Sequence, residues 1–165
     1  MTPDQATEAA ASSIVGMLIA SGQTVGTAES LTGGLVAAAL TTVPGASAVV
    51  RGGIVAYAAD LKSSLLSVPA DLIDRVGTVH PDVALAMASG AKSRLGATVG
   101  VATTGVAGPD PADGQPVGTV HIAVSTPARA VHEAFLLSGD RHEIRRSTVG
   151  HLLDLLVRTL KEDIG

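Results

Sequence analysis

Three residues in this chain could together perform base-assisted nucleophilic chemistry: Ser30, Lys62 and Tyr57, the only tyrosine. Ser30 lies in Thr27-Ala28-Glu29-Ser30-Leu31-Thr32-Gly33-Gly34, where a strand-like approach meets a hydroxyl-glycine-glycine corner and then the helix-like run Leu35 to Leu40. A serine at such a corner stands out from the backbone. The glycine pair lets the main chain approach a ligand closely, and a helix start offers N–H groups and positive dipole charge to an anion or an oxyanion. The same residues would also suit a plain N-cap with a tight turn. Tyr57 ends a predicted strand, and Lys62 follows in the first turns of the next helix, so both can reach the sheet edge that carries Ser30. A lysine desolvated beside a serine loses its proton and becomes a base, and a tyrosine could relay a proton or orient it. Burial would lower the Lys62 pKa from about 10.4, and Asp60 would raise it unless it points to solvent. A surface lysine and a core tyrosine are the commoner fates of both types.

A second glycine-rich corner, Thr104-Gly105-Val106-Ala107-Gly108-Pro109-Asp110, follows the strand predicted at Val99–Thr103. Loops beyond strand ends form the ligand crevice of open α/β sheets, although Gly108-Pro109-Asp110 could simply build a long turn. Neither corner is a Walker loop or a G-x-G-x-x-G fingerprint. Ser89-Gly90-Ala91-Lys92 matches S-x-x-K, but its serine falls late in a predicted helix and no S-D-N or K-T-G follows. His80, His121, His132, His142 and His151 show no i, i+4 pair and no carboxylates at ligand spacing, so no metal or other cofactor is expected. A Ser-His-Asp arrangement through His80 stays open.

The composition narrows the classes. With no cysteine there is no thiol catalysis, disulfide or thiolate metal site, which suits a reducing compartment and a cytoplasmic location. A net charge of −4 without a basic run or aromatic stack argues against a nucleic-acid partner. Apolar runs are short and broken by glycine, and residues 1–22 do not resemble a signal peptide, so no membrane partner is expected.

Several elements must position these corners. Helix is predicted over Gln5–Ala20, with Ile14, Met17 and Leu18 apolar, over Gly34–Thr41, over Asp60–Leu66, after Pro69, from Pro81 to about Leu95, and from Arg141 to Glu162 behind an Asp140–Glu143 capping box. Strands are predicted at Thr24–Ala28, at Ala48–Val50 and Gly53–Ala58 around a Gly52-Gly53 kink, at Thr98–Thr104, and at Val117–Ser125 and Val131–Leu137, the last two as an antiparallel hairpin through Pro127. This order predicts an α/β fold, a layered α/β/α single domain over residues 1–165 with a mixed central sheet and an aliphatic core.

Taken together, Thr27 to Gly34, Val43-Pro44-Gly45-Ala46-Ser47, Gly53-Ile54-Val55-Ala56-Tyr57 with Lys62, Thr104 to Asp110, and Pro116-Val117-Gly118-Thr119-Val120 resemble the CinA C-terminal domain family, from about Ala6 to Leu160. Stand-alone members of that family resemble nicotinamide-nucleotide amidohydrolases, which release ammonia from the carboxamide of nicotinamide mononucleotide to give nicotinate mononucleotide. The resemblance implies Ser30 as nucleophile, Lys62 as base and Tyr57 beside it. It places Thr32, Gly33, Gly34, Thr104 and Gly105 around a phosphate or oxyanion, and Arg141 and Arg145 as phosphate clamps, with Arg146 an equal bystander. It further implies a small-molecule nucleotide substrate and a homodimer. Two positions depart from the family pattern: Leu31 stands where cysteine is usual, and Gly77-Thr78-Val79-His80 where G-A-V-S is common. A module that binds a pyridine nucleotide or phosphometabolite without turnover is the alternative.

Overall fold

The computed structural model describes residues 1–164, over which six helices and five strands follow one another. In chain order they are α1 (Pro3–Ser21), β1 (Val25–Glu29), α2 (Leu35–Thr41), β2 (Val50–Val55), α3 (Ala59–Leu66), α4 (Ala70–Val76), α5 (Pro81–Arg94), β3 (Val99–Gly105), β4 (Thr119–Ser125), β5 (Ala130–Leu136) and α6 (Arg141–Ile164). Gly165, the last residue of the single-domain expectation, lies outside the described residues. The helix boundaries are chemically marked. Thr2 and Gln5 form a reciprocal capping box on α1, and Asp140 and Glu143 form the expected one on α6.

The strands form one mixed sheet in the order β2-β1-β3-β4-β5. β1 runs parallel to β2 and β3, β4 is antiparallel to β3, and β5 closes the expected hairpin against β4. Alternation divides the strand side chains between two cores. Val25, Val99, Val101, Val120, Ile122 and Val124 pack under α1, α2 and α6. Ala28, Ala102 and Ala123 pack under α3, α4 and α5 with Leu66, Val83 and Met87. The second core is built from small residues, so α5 lies close to the sheet. A Cβ at Gly100 would sit 2.0 Å from the Ala88 carbonyl oxygen, so no larger residue fits there.

The β2 region differs from expectation: the strand expected to run to Ala58 stops at Val55. The region around Gly52-Gly53 is not two strands but one, and a short 3-10 turn at Ala46–Ala48 precedes it. Val25 pairs with Val50 and Gly26 with Gly52, so Arg51 is an extra residue in the edge strand. A bulge absorbs the distortion that the glycines signalled.

The β4–β5 hairpin also brings together two histidines that lie eleven positions apart. His121 Nδ1 and His132 Nε2 are 3.0 Å apart with their rings stacked. Burial pushes both imidazoles below their ordinary value; neighbouring histidine charge lowers them further, while Asp82 and Glu133 pull His132 back up. The contact needs one donor and one acceptor, so protonating both rings breaks it. With folded pKa values below 6.5, the unfolded chain binds more protons as pH falls. The stabilisation is therefore full above about pH 6.5 and is lost as pH drops towards the folded values. Thermal melts between pH 7.5 and 5 should show a falling Tm, with a shallower slope in His132→Phe. Equal slopes would refute this role for the pair.

Candidate active site

Ser30 directly follows β1, and its N–H donates to the Thr103 carbonyl at 3.1 Å, so the serine is fixed to the neighbouring strand as the chain leaves the sheet. Four residues later Gly34 takes a left-handed conformation, φ 102°, that turns the chain into α2. Beneath the corner lies Glu29, 1% exposed. Its carboxylate accepts from the N–H groups of Gly34, Val36 and Ala37 at 3.2, 2.8 and 3.1 Å and from the Thr32 hydroxyl at 2.7 Å. Negative charge at a helix N-terminus is favourable, and here the protein supplies it itself.

This corrects the expectation that the start of α2 is free for an anion. The Gly34 N–H is committed to Glu29, and the Gly33 N–H to the Ser30 carbonyl at 3.1 Å. The Thr32 side chain is fully buried between Glu29 and Thr103. Among the described residues, the Leu31 and Thr32 backbone N–H groups are the amides of this corner left without an acceptor. The donors next to Ser30 therefore precede the glycines instead of belonging to them.

Lys62 reaches the corner from α3. Its side chain is among the largest that are fully buried, with a residue exposure of 1%. Its Nζ lies 3.0 Å from Ser30 Oγ, 2.8 Å from the Ala56 carbonyl and 3.1 Å from the Tyr57 carbonyl. Carbonyls can only accept, so two N–H groups are spoken for and the third position of the nitrogen is aimed at the serine hydroxyl. In the neutral amine that position is a lone pair, and Ser30 donates to it. Among the described residues no carboxylate forms an ion pair with Lys62. Burial pushes its pKa down to about 8, against an opposing pull from Asp113. The carboxylate that matters is thus Asp113, missed in the sequence, and not the exposed Asp60.

Tyr57 serves Lys62 through its backbone. The residue is 57% exposed, and its hydroxyl accepts from Arg141 Nη2 at 3.0 Å, so the expected proton relay through the phenol is not formed. Arg141 also donates to the Gly108 carbonyl at 2.7 Å, joining the β2–α3 connection to the second corner. Arg145 donates to the Leu31 and Thr32 carbonyls at 2.9 and 3.2 Å and so pins the serine corner. Arg146 points away and pairs with Asp4. Neither Arg141 nor Arg145 has a carboxylate partner among the described residues.

In the second corner, Thr104 is buried and its hydroxyl donates to the Thr78 carbonyl at 2.8 Å, holding the α4–α5 connection instead of facing a ligand. Gly105 is required by packing: a Cβ there would lie 2.7 Å from the Thr119 carbonyl oxygen. His80 caps α5, its Nδ1 accepting the Asp82 N–H at 3.2 Å, so it forms no triad with Ser30. In the S-x-x-K match, Ser89 is exposed and Lys92 donates to the Thr126 carbonyl. Among the described residues no group of three or more His, Asp or Glu side chains is placed to hold a metal. A cavity of about 650 Å³ lies elsewhere, between α1 and α6, and contains none of Ser30, Tyr57 or Lys62.

The model of the family described as CinA C-terminal domain matches residues 7–160. The chain is 50% identical over 147 residues to a CinA-like protein of Frankia casuarinae, covering 89% of this chain and 34% of that protein. It is 45% identical over 155 residues to a CinA-like protein of Desulfotalea psychrophila, covering 93% and 38%. The chain thus spans about a third of the length of the curated relatives it matches. Among solved structures it resembles the competence/damage inducible protein CihA of Agrobacterium tumefaciens (TM-score 0.90, 39% identity, 94% of this chain and 96% of that one). It is also similar to a CinA superfamily protein of Escherichia coli (TM-score 0.90, 32% identity, 93% and 90%).

The geometry makes Glu29 the support of the corner. Glu29→Gln replaces a carboxylate that satisfies several buried donors by a group with one acceptor oxygen, and should cost about 2 kcal/mol. Urea denaturation checks this; a midpoint unchanged from wild type would show that α2 holds the corner without it.

Proposed function

The chain belongs to the CinA C-terminal domain family, and we propose that it is a serine amidohydrolase that releases ammonia from the carboxamide of nicotinamide mononucleotide, giving nicotinate mononucleotide. The observation that carries this reading is the contact between Lys62 Nζ and Ser30 Oγ at 3.0 Å, with the other two lysine contacts taken by carbonyls. A buried lysine held in this way, with its pKa lowered to about 8, is neutral in a useful fraction of molecules near neutrality. The nucleotide substrate is drawn from the family resemblance, and a homodimeric, cytoplasmic protein belongs to the same reading.

In this mechanism neutral Lys62 accepts the Ser30 proton while Oγ bonds to the carboxamide carbon. The carbonyl oxygen becomes an oxyanion, and the Leu31 and Thr32 N–H groups are the uncommitted donors of the same corner; one such donor is worth about 3 kcal/mol. The C–N bond then breaks, and the Lys62 ammonium returns its proton to the departing amine, which leaves as ammonia. Water attacks the resulting ester with Lys62 again as base, the Ser30–carbon bond breaks, and Ser30 recovers its proton as the acid is released. Arg141, exposed beside Tyr57 and Gly108, is the group best placed to meet a substrate phosphate. Arg145 is occupied in shaping the corner.

Ammonia release should be measured with nicotinamide mononucleotide, nicotinamide and NAD. Turnover of the mononucleotide is expected, its rate rising with pH through a single ionisation near 8. Lys62→Met should abolish that limb and most of the rate, and Lys62→Arg should not restore it, because arginine stays protonated. No ammonia from any of the three compounds would favour a binding module, and near-normal rates in Lys62→Arg would make the lysine a clamp.

A further inference from the structure

The mechanism above leaves the Tyr57 side chain without a task. An exposed phenol is ordinarily free to rotate, but this one is tied at both ends. Its backbone carbonyl accepts from Lys62 Nζ at 3.1 Å, and the same nitrogen lies 3.0 Å from Ser30 Oγ, so the root of the side chain stands beside the nucleophile. Its hydroxyl accepts from Arg141 Nη2 at 3.0 Å, and Arg141 is itself held by the Gly108 carbonyl at 2.7 Å. Tyr57 follows β2, Gly108 follows β3, and β1 lies between those two strands in the sheet. The bridge from Tyr57 through Arg141 to Gly108 therefore passes the end of β1, where Ser30 sits.

Fixed in this way, Tyr57 still keeps more than half of its surface in solvent. Val55, two residues earlier, is also exposed, and a Cβ placed on Gly34 would lie 3.9 Å from Val55 Cγ2, so apolar surface borders the serine corner on this side. The ring runs between two different chemistries. At its root are the nucleophile and the base, where a carboxamide must sit. At its tip is Arg141, a guanidinium without a carboxylate partner among the described residues and suited to a phosphate. Between carboxamide and phosphate, nicotinamide mononucleotide carries a flat pyridine ring whose glycosylated nitrogen is positively charged. The negative face of an aromatic side chain stacks on such a ring and attracts its charge.

We propose that Tyr57 is a specificity-determining residue of this site. Its exposed ring, stretched between Lys62 and Arg141, is a platform for a cationic pyridinium carboxamide and favours it over an uncharged ring with the same substituents. This role rests on the nucleotide substrate proposed above, but it concerns binding and is measured without turnover.

The test is calorimetric binding of nicotinamide mononucleotide and of its reduced dihydropyridine form to Ser30→Ala, alone and combined with Tyr57→Phe or Tyr57→Leu. Both ligands carry the same ribose phosphate, so a contact at Arg141 cancels in their ratio. Ser30→Ala should prefer the oxidised form. Phenylalanine keeps the aromatic face and should hold that preference within about twofold, whereas leucine should reduce it by about threefold or more. Because the chain has one tyrosine and no tryptophan, tyrosine emission reports this ring alone, and the oxidised mononucleotide should quench it saturably in Ser30→Ala. Absence of saturable quenching overturns the proposal, as does an unchanged preference in a Tyr57→Leu protein that melts cooperatively, even where the wild type releases ammonia. A phenylalanine variant that loses as much as leucine places the effect in the hydroxyl and overturns it too. Saturable quenching and a preference lost only with leucine, in a protein whose wild type releases no ammonia, support the platform and refute the hydrolysis instead.

Discussion

An ammonium group taken out of water pairs with a carboxylate or holds its proton less tightly. Lys62 is denied the first option: its hydrogen-bond partners are two carbonyl oxygens and a serine hydroxyl, and the carboxylate that acts on it does so from another loop. Everything else around the site serves to hold that arrangement. β1 brings Ser30 to the C-terminal end of the parallel strands, the β2–α3 connection presents the Ala56 and Tyr57 carbonyls, and α3 lays the lysine stem in the aliphatic layer that contains Leu66. Were the carbonyls to move apart, the nitrogen would gain freedom to rotate and its third position would no longer be aimed at Ser30.

The corner that carries Ser30 has its own requirement. α2 is a short helix, and its first N–H groups would otherwise be unsatisfied in the interior. Glu29 satisfies them from below, and Arg145 braces the corner through the Leu31 and Thr32 carbonyls. A carboxylate on one side and a guanidinium on the other fix the main chain around the serine. Small residues on the opposite sheet face let α5 settle against β3, which carries the Thr103 carbonyl bonded to Ser30.

Much of this was legible in the residues. The alternating helix and strand patterns gave the α/β layering and the mixed sheet, and hydroxyl-glycine-glycine marked the turn after β1. The pairing of Ser30 with Lys62 followed from placing both at one sheet edge. What sequence could not convey was where each polar group points. Glu29 lies next to Ser30 in the chain but, by strand alternation, on the other face, so it consumes the amides that the glycines had suggested for a ligand. Tyr57 contributes its carbonyl instead of its phenol because its ring turns out towards Arg141. Asp113 had no signal except its place in an Asp-Gly turn, whose contact partner, Thr78, is 35 residues away. The His121–His132 pair is a cross-strand neighbour relation, invisible to a search along helical spacing.

The account stands on Ser30 acting as the nucleophile that Lys62 serves. The most direct test is ammonia release from nicotinamide mononucleotide by Ser30→Ala, with ligand binding followed by calorimetry on the same preparation. Removing one small hydroxyl at a corner should leave the fold and the binding close to wild type, while the rate falls by about a thousandfold or more. A Ser30→Ala protein that binds the mononucleotide and releases ammonia at near the wild-type rate would contradict the account outright.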